Sequence, residues 1–351
     1  MGFFSYYNYI LDQEDALRIF VIKGGPGVGK STFMKKIAER MLELGYDAEF
    51  MHCSSDNNSL DGVVIPAVRV ALIDGTAPHI VDPKNPGAVD EIIHLGDYWD
   101  EEGMRRHRDE ILKTNKQVGR LFTRAYKYIK AAAFIQEDMA EIYGRAVNKA
   151  AVNRAAAELI KNLFGDIPIA SEEGRQRHLF ASAISPKGLV NYLDSLLTTD
   201  RVYVVQGQLG TGTERLLEKV REAAVERGFK VESYYCALFP TKLEHLVIPG
   251  ISTSLTTFNR YHSADILGYE VIDLDEFVDQ RVMAGDAGVI AYNRMRFDEL
   301  LEEAVSTIAK AKSLHDHLET YYIPNMDFGA VKSRWEEVTE RILGYAGICS
   351  S

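Results

Sequence analysis

Residues Gly24-Gly25-Pro26-Gly27-Val28-Gly29-Lys30-Ser31, followed by Thr32, fit the pattern G-x-x-x-x-G-K-[ST]. Glycines at these spacings let a loop curl until several backbone N–H groups converge on one point, which suits phosphate oxygens. Lys30 adds a mobile positive charge, and the Ser31 hydroxyl is a ligand type suited to Mg²⁺. The flanks agree with this chemistry. Arg18–Lys23 is a short apolar run of the kind that forms a buried strand, and Phe33, Met34, Ile37, Met41 and Leu42 recur at helical spacing behind the loop. The loop is therefore expected between a strand and the N-terminus of a helix.

An Mg²⁺ ion on a polyphosphate also needs a carboxylate nearby. Val68–Ile73 is an apolar run ending in Asp74, which is the candidate for that carboxylate or else a turn residue at a strand end. A Glu after Asp74 would suggest the water-activating pair of motor-type ATPases, but Gly75 follows. Asp56 lies in the polar stretch Ser54–Asp61 after the second expected strand. It could polarise a water or an acceptor hydroxyl, or cap a turn, and Asp61 has the same two readings. His79 could stand over the site or be a structural histidine. Arg105, Arg106 and Arg108 could belong to a mobile lid or to a solvated helix face. His315 and His317 are two residues apart, so they do not share a helix face and make a poor metal pair.

The elements that must position these groups occur twice. Arg18–Pro66 aligns with Arg201–Pro249 without a gap, with fifteen of the forty-nine positions identical. Gly24, Gly27, Gly29, Gly45, Cys53 and Pro66 match Gly207, Gly210, Gly212, Gly228, Cys236 and Pro249. His79 and His262 keep the same offset. The second loop has Thr213 where Lys30 stands, Glu214 where Ser31 stands, and Thr257 where Asp74 stands. It keeps the loop's shape and lacks its charges, so the first copy is the expected active module. Two long apolar stripes recur as well, Leu121–Ile142 and Leu301–Tyr321, and read as packing faces of helices. The expected layout is a module over 1–170 with a helical hairpin at 104–165, and a second over 171–351 with a hairpin at 290–347. The hairpins could pack across the halves, giving an intrachain pseudo-dimer. Strands alternating with helices predict a mainly parallel sheet. Helices are expected at 2–12 and 186–197, and strands near 62–66 and 68–73.

The chain has 351 residues, enough for two cores, with 46% hydrophobic and 26% charged residues and a net charge of −11. That balance disfavours a surface built for nucleic acid or anionic membrane. No apolar run is long enough to span a bilayer. Cys53, Cys236 and Cys349 are too few for a disulfide framework and have no zinc spacing, so a cytoplasmic setting is expected.

The Gly24–Thr32 loop, His52-Cys53, Ser59-Leu60-Asp61 before Val64-Ile65-Pro66, Asp74–His79 and the late stretch Tyr321–Phe328 resemble the poorly characterised bacterial tandem P-loop proteins. These are described as ATP-binding, ATPase or nucleotide-kinase-like. The resemblance covers nearly the whole chain. It implies a P-loop NTPase fold, a three-layer α/β/α sandwich duplicated in tandem, with ATP bound through Gly24–Thr32 and Mg²⁺ at Ser31 and Asp74. The partner would be an unidentified small-molecule acceptor or a protein. The chain departs from that pattern at Thr213, where a Lys is expected, and in having no first strand before Gly2.

Overall fold

The structure, a computed structural model, describes residues 4–78, 80–261, 263–265 and 269–347. His79, His262 and Cys349 lie outside the described residues. The first half of the chain runs β1 (Arg18–Lys23), α1 (Lys30–Glu43), β2 (Glu49–His52), β3 (Leu60–Ile65), β4 (Val70–Asp74), β5 (Asp90–His94), α2 (Glu101–Arg106) and α3 (Arg108–Ala146). Then come α4 (Lys149–Phe164), β6 (Gln176–Phe180), β7 (Ser182–Ser185), β8 (Gly188–Asn191), α5 (Leu193–Leu196), β9 (Arg201–Gln206) and α6 (Thr213–Val225). The remainder is β10 (Val231–Tyr235), β11 (Leu243–Ile248), β12 (Thr253–Phe258), β13 (Glu270–Asp273), α7 (Gln280–Tyr322) and α8 (Phe328–Tyr345).

These elements form two compact α/β units, and the units do not follow the halves of the sequence. One is built from residues 2–124 together with 306–351, the other from residues 125–305. Each expected hairpin therefore divides differently from the 1–170 and 171–351 layout. The early turns of α3 belong to the first unit and its later turns to the second, while α7 does the reverse. In the first unit, Val331, Val338, Ile342 and Leu343 of α8 share one buried core with Phe33, Met34, Ile37 and Met41 of α1. In the second unit α4 packs on α6, with Phe164 against Phe229 at 5.8 Å between ring centroids. In each unit, then, a helix from the other half of the chain packs beside the unit's own, α8 with α1 and α4 with α6. An apolar stripe shows that a helix needs a partner, but not which partner.

The first unit's sheet has the order β2-β3-β4-β1-β5, and the second β13-β9-β12-β11-β10-β6. Reading outward from β1 and β9, the two orders coincide, with β6 as an added edge strand beside β10 in the second unit. The sheets are mixed rather than mainly parallel. β1 is parallel to β4 and β5, but β3 is antiparallel to both its neighbours. The cause is the link between β3 and β4, a single 3₁₀ turn at Pro66–Val68 followed by Arg69 at φ 57°. A link that short can only reverse the chain, since a parallel crossover needs a dozen residues or so. Pro249–Ile251 and Ser252 repeat the device in the second unit.

The expected three-layer sandwich is thin on one side in the first unit. Phe20 and Ile22 of β1 face the core shared with α1 and α8, while Ile19 and Val21 face the other way. That second face is covered by Tyr7, Ile10, Leu11, Val81 and Val89 rather than by a helix. Among the described residues, the helix expected at 2–12 is reduced to one 3₁₀ turn, Tyr7–Tyr9. The helix expected at 186–197 is instead the hairpin β7–β8, turned at Pro186-Lys187, plus the one-turn α5. Strands β5 and β13 were not expected. Asp90-Glu91-Ile92-Ile93-His94 is short and charged at its ends, so its pairing with β1 leaves little local signal.

Glu91 on β5 ties α8 to the sheet. Its two carboxylate oxygens accept from Arg341 Nη1 at 2.7 Å and Nη2 at 2.5 Å, and Arg334 stands at 3.3 Å. The Arg341 hydrogen bonds hold the Glu91 carboxyl below the usual carboxylate range, with burial opposing and Arg334 adding to the effect. A depressed folded pKa stabilises the fold above the unfolded carboxylate value, and that contribution is lost as pH falls through the folded value. Glu91→Gln is expected to cost about 1–2 kcal/mol at pH 7, as a forked and partly buried pair should. In urea unfolding, the gap from wild type should close below about pH 4. A gap that persists there would assign the loss to packing rather than charge.

Candidate functional site

The first glycine-rich loop lies between β1 and α1, as its local sequence requires. Gly27 and Gly29 adopt φ of 66° and 90°, conformations that side chains with a Cβ rarely take. Gly29 is the N-cap of α1 and supplies no capping side chain. The first N–H groups of α1 are therefore left for an anion, and the helix dipole favours one there. Pro26 and Gly25 are half-buried, Val28 is fully buried under the loop, and Thr32 is exposed.

Lys30 is the first residue of α1 and folds back over the loop. Its Nζ donates to the carbonyls of Gly24 at 3.1 Å and Gly25 at 2.9 Å. Asp74 Oδ2 stands 3.6 Å from the same Nζ, with both side chains largely buried. Asp74 arrives there because β4 pairs with β1, placing it opposite Ile22 at the loop end of the strand. Thr76 fixes the arrangement, its N–H donating to Asp74 Oδ1 at 2.8 Å and its hydroxyl to the Gly24 carbonyl at 3.0 Å. Ser31 Oγ accepts from the Leu60 amide at 3.0 Å. The structure thus brings together Gly24–Ser31, Lys30 and Asp74.

Asp56 sits farther along the β2–β3 connection, in a turn. Its carboxylate accepts from the Asn58 amide at 3.1 Å and the Ser59 hydroxyl at 2.9 Å, and Lys312 of α7 approaches it at 3.4 Å. Burial would raise the Asp56 pKa, but those hydrogen bonds and Lys312 outweigh it and lower it. Asp61 lies beside Tyr7 and Cys53. Burial, reinforced by the Asp61 charge, pushes the Cys53 thiol up to about 12, so it is no nucleophile near neutrality. Arg105, Arg106 and Arg108 are exposed; Arg105 pairs with Glu101 at 2.8 Å and Arg108 with Asp109 at 3.0 Å.

Four residues near the loop carry no local signal that assigns them to it. Lys312, His315, Glu319 and Tyr322 all lie on the last turns of α7, far from the loop in the chain. A Cβ on Gly25 would meet the Tyr322 ring at 2.5 Å, and one on Gly27 would meet Glu319 Cβ at 3.3 Å. His315 Nε2 is 3.8 Å from Glu319 Oε1, and burial lowers its pKa. His317 packs instead on Tyr321, at 5.3 Å between centroids.

The second loop has the same backbone form, with Gly210 and Gly212 at φ of 95° and 103°. Its surroundings differ. A Cβ on Gly210 would fall 2.1 Å from the Ala140 carbonyl oxygen, so the backbone of α3 itself lies against the loop. That contact requires glycine whether or not a phosphate binds. The Gln208 amide is held by Asp275 Oδ1 at 3.1 Å. Burial pushes the Asp275 carboxyl up, with the Gln208 hydrogen bond opposing. The Asp273–Glu276 run thus does more than decorate the surface.

Among the described residues, no three His, Cys, Asp or Glu side chains cluster to hold a metal unaided. Nor is any helix long and apolar enough to cross a membrane. Compared with family models, with curated proteins and with solved structures, the chain has no match.

Proposed function

We propose that the first unit is a P-loop NTPase module that binds ATP with Mg²⁺ at Gly24–Thr32 and hydrolyses it or transfers its terminal phosphoryl group. On this reading the chain is a tandem duplication whose second copy is non-catalytic. The observation that carries the reading is the convergence of Lys30 Nζ, Asp74 Oδ2 and an uncapped α1 on one glycine-lined loop. The donor set suits the groups it would hold. Ser31 Oγ and Asp74 Oδ2 are hard oxygen ligands, and an Mg²⁺ ion on a nucleotide takes its other ligands from phosphate and water. When bound, that ion would neutralise charge on the phosphates.

The chain's own contributions follow from its geometry. The loop amides orient the phosphate chain, and Lys30 exchanges the Gly24 and Gly25 carbonyls for phosphate oxygens. Thr76 holds Asp74 beside Lys30. Asp56 would orient an acceptor or a water, with the Ser59 and Asn58 hydrogen bonds and the Lys312 charge keeping it ionised. The second loop offers none of this. Thr213 brings no cation, Glu214 brings repulsion, and Asp275 already takes the Gln208 amide.

One feature of α7 favours a second reading, a nucleotide-driven switch acting on a macromolecular partner. Tyr322 covers Gly25, so filling the loop displaces a side chain at the end of a long helix. A sensor that binds ATP without turnover is the limiting case. ADP and phosphate release, measured with and without a panel of candidate acceptors, separates the readings. A phosphotransferase yields a phosphorylated product, a switch only phosphate, a sensor neither.

Calorimetry with a non-hydrolysable ATP analogue is expected to give about one site per chain, lost in Lys30→Ala. A stoichiometry near two, with half retained in that variant, would refute the assignment of the second unit as empty of nucleotide.

A further inference from the structure

The second unit holds a cavity of about 120 Å³ where its loop would meet a ligand. Its walls are mainly apolar, with Leu209, Phe239, Phe297 and Leu301 prominent. A cavity of about 150 Å³ accommodates a benzene ring, so this one takes about five or six non-hydrogen atoms.

Its polar groups share one character. Glu214 enters from the first turn of α6, half-buried, and no hydrogen bond or ion pair within the described residues holds its carboxylate. Gln136 Oε1 is buried at the cavity with no hydrogen-bond partner. Both are acceptors awaiting a donor, and an orphan buried acceptor is costly.

The charges around the cavity do not balance. Glu214 and Glu244 are acidic and Lys242 is basic, its Nζ lying 4.4 Å from the Phe239 ring centroid. Arg260 is already matched by Asp298 at 2.8 Å. His245 stands 3.9 Å from Glu244 but is 1% exposed and outside the lining. Cys236 is neutral, since burial and the Glu244 charge raise its pKa well above the thiol range. Burial likewise pushes the Glu214 carboxyl up, with the Lys242 charge opposing and Glu218 and Glu244 adding to the rise. The cavity is one positive charge short. An inorganic cation would need more ligating side chains than the site brings together.

We propose that this cavity binds a small primary alkylammonium ion, its carbon skeleton against Leu209, Phe239 and Phe297 and its ammonium donating to Glu214 and Gln136 Oε1. The second copy has then exchanged a phosphate-binding loop for an amine-binding one, through the replacement that put Glu214 at its helix start. The inference does not depend on nucleotide binding at the first unit.

Calorimetry on the full chain with isobutylamine and with isobutanol tests it, the two probes being close in size and differing in charge. Isobutylamine should bind at about one site per chain, and isobutanol at least about tenfold more weakly. Glu214→Gln should erase that preference, and Lys30→Ala should leave it intact. Val190→Phe, which fills the cavity from β8, should abolish binding of both. Equal affinity for amine and alcohol, an amine preference surviving Glu214→Gln, or binding that survives Val190→Phe would each overturn the proposal, as would no binding of isobutylamine.

Discussion

Residues 1–173 produced alone should not fold into a working unit, and co-production of residues 306–351 should restore it. The fragment contains the whole motif loop, β1 to β5 and α1, yet it lacks α8. That helix places Val331, Val338, Ile342 and Leu343 at 8%, 0%, 0% and 7% exposure in the core beneath α1. Burying an aliphatic side chain stabilises by about 1.5–3 kcal/mol, so losing four removes an amount comparable to the whole stability of a domain. Glu91 would also lose Arg334 and Arg341. The part of the core that α8 covers, left uncovered, should make the fragment aggregate. The measurements are cooperative urea unfolding and ATP-analogue binding, for the fragment with and without residues 306–351. A fragment that is monomeric, unfolds cooperatively and binds the analogue as the full chain does would show that α8 is dispensable.

What the sequence made legible was whatever is local. Gly24–Ser31 and its flanking strand and helix lie within one short stretch, and Asp74 ends a run whose apolar character marks it as a strand next to β1. The internal repeat was legible in the sequence because glycines at loops and prolines at turns are held by backbone needs, as Gly210 is by Ala140. What was not legible depends on pairing at a distance. The antiparallel setting of β3 follows from a three-residue turn whose geometry no periodicity reports. β5 is too short and charged to stand out. The exchange of covering helices between halves, and with it the placement of Lys312, Glu319 and Tyr322 at the loop, leaves no local trace. The same apolar stripes would serve either pairing.

In Asp74→Asn, the ATP analogue should still bind within a few-fold of wild type, while Mg²⁺-dependent turnover should fall by about a hundredfold or more. The two effects separate because two sets of atoms are involved. On the proposed function phosphate would be held by the loop amides, the α1 N-terminus and Lys30, none of which the substitution removes. The Asn carbonyl oxygen can still accept from the Thr76 amide, so the loop keeps its shape. What is lost is a negative charge 3.6 Å from Lys30 Nζ. Without that charge the ammonium is held less firmly over the Gly24 and Gly25 carbonyls, so metal-free nucleotide should bind at least as tightly as in wild type. With Mg²⁺ present the order reverses, because a hard cation needs the carboxylate that Asn cannot supply. The diagnostic is therefore the Mg²⁺ dependence of affinity, which Asp74→Asn should flatten. A merely structural Asp74 would lower affinity equally with and without metal, and wild-type turnover in the variant would place the metal-side carboxylate elsewhere.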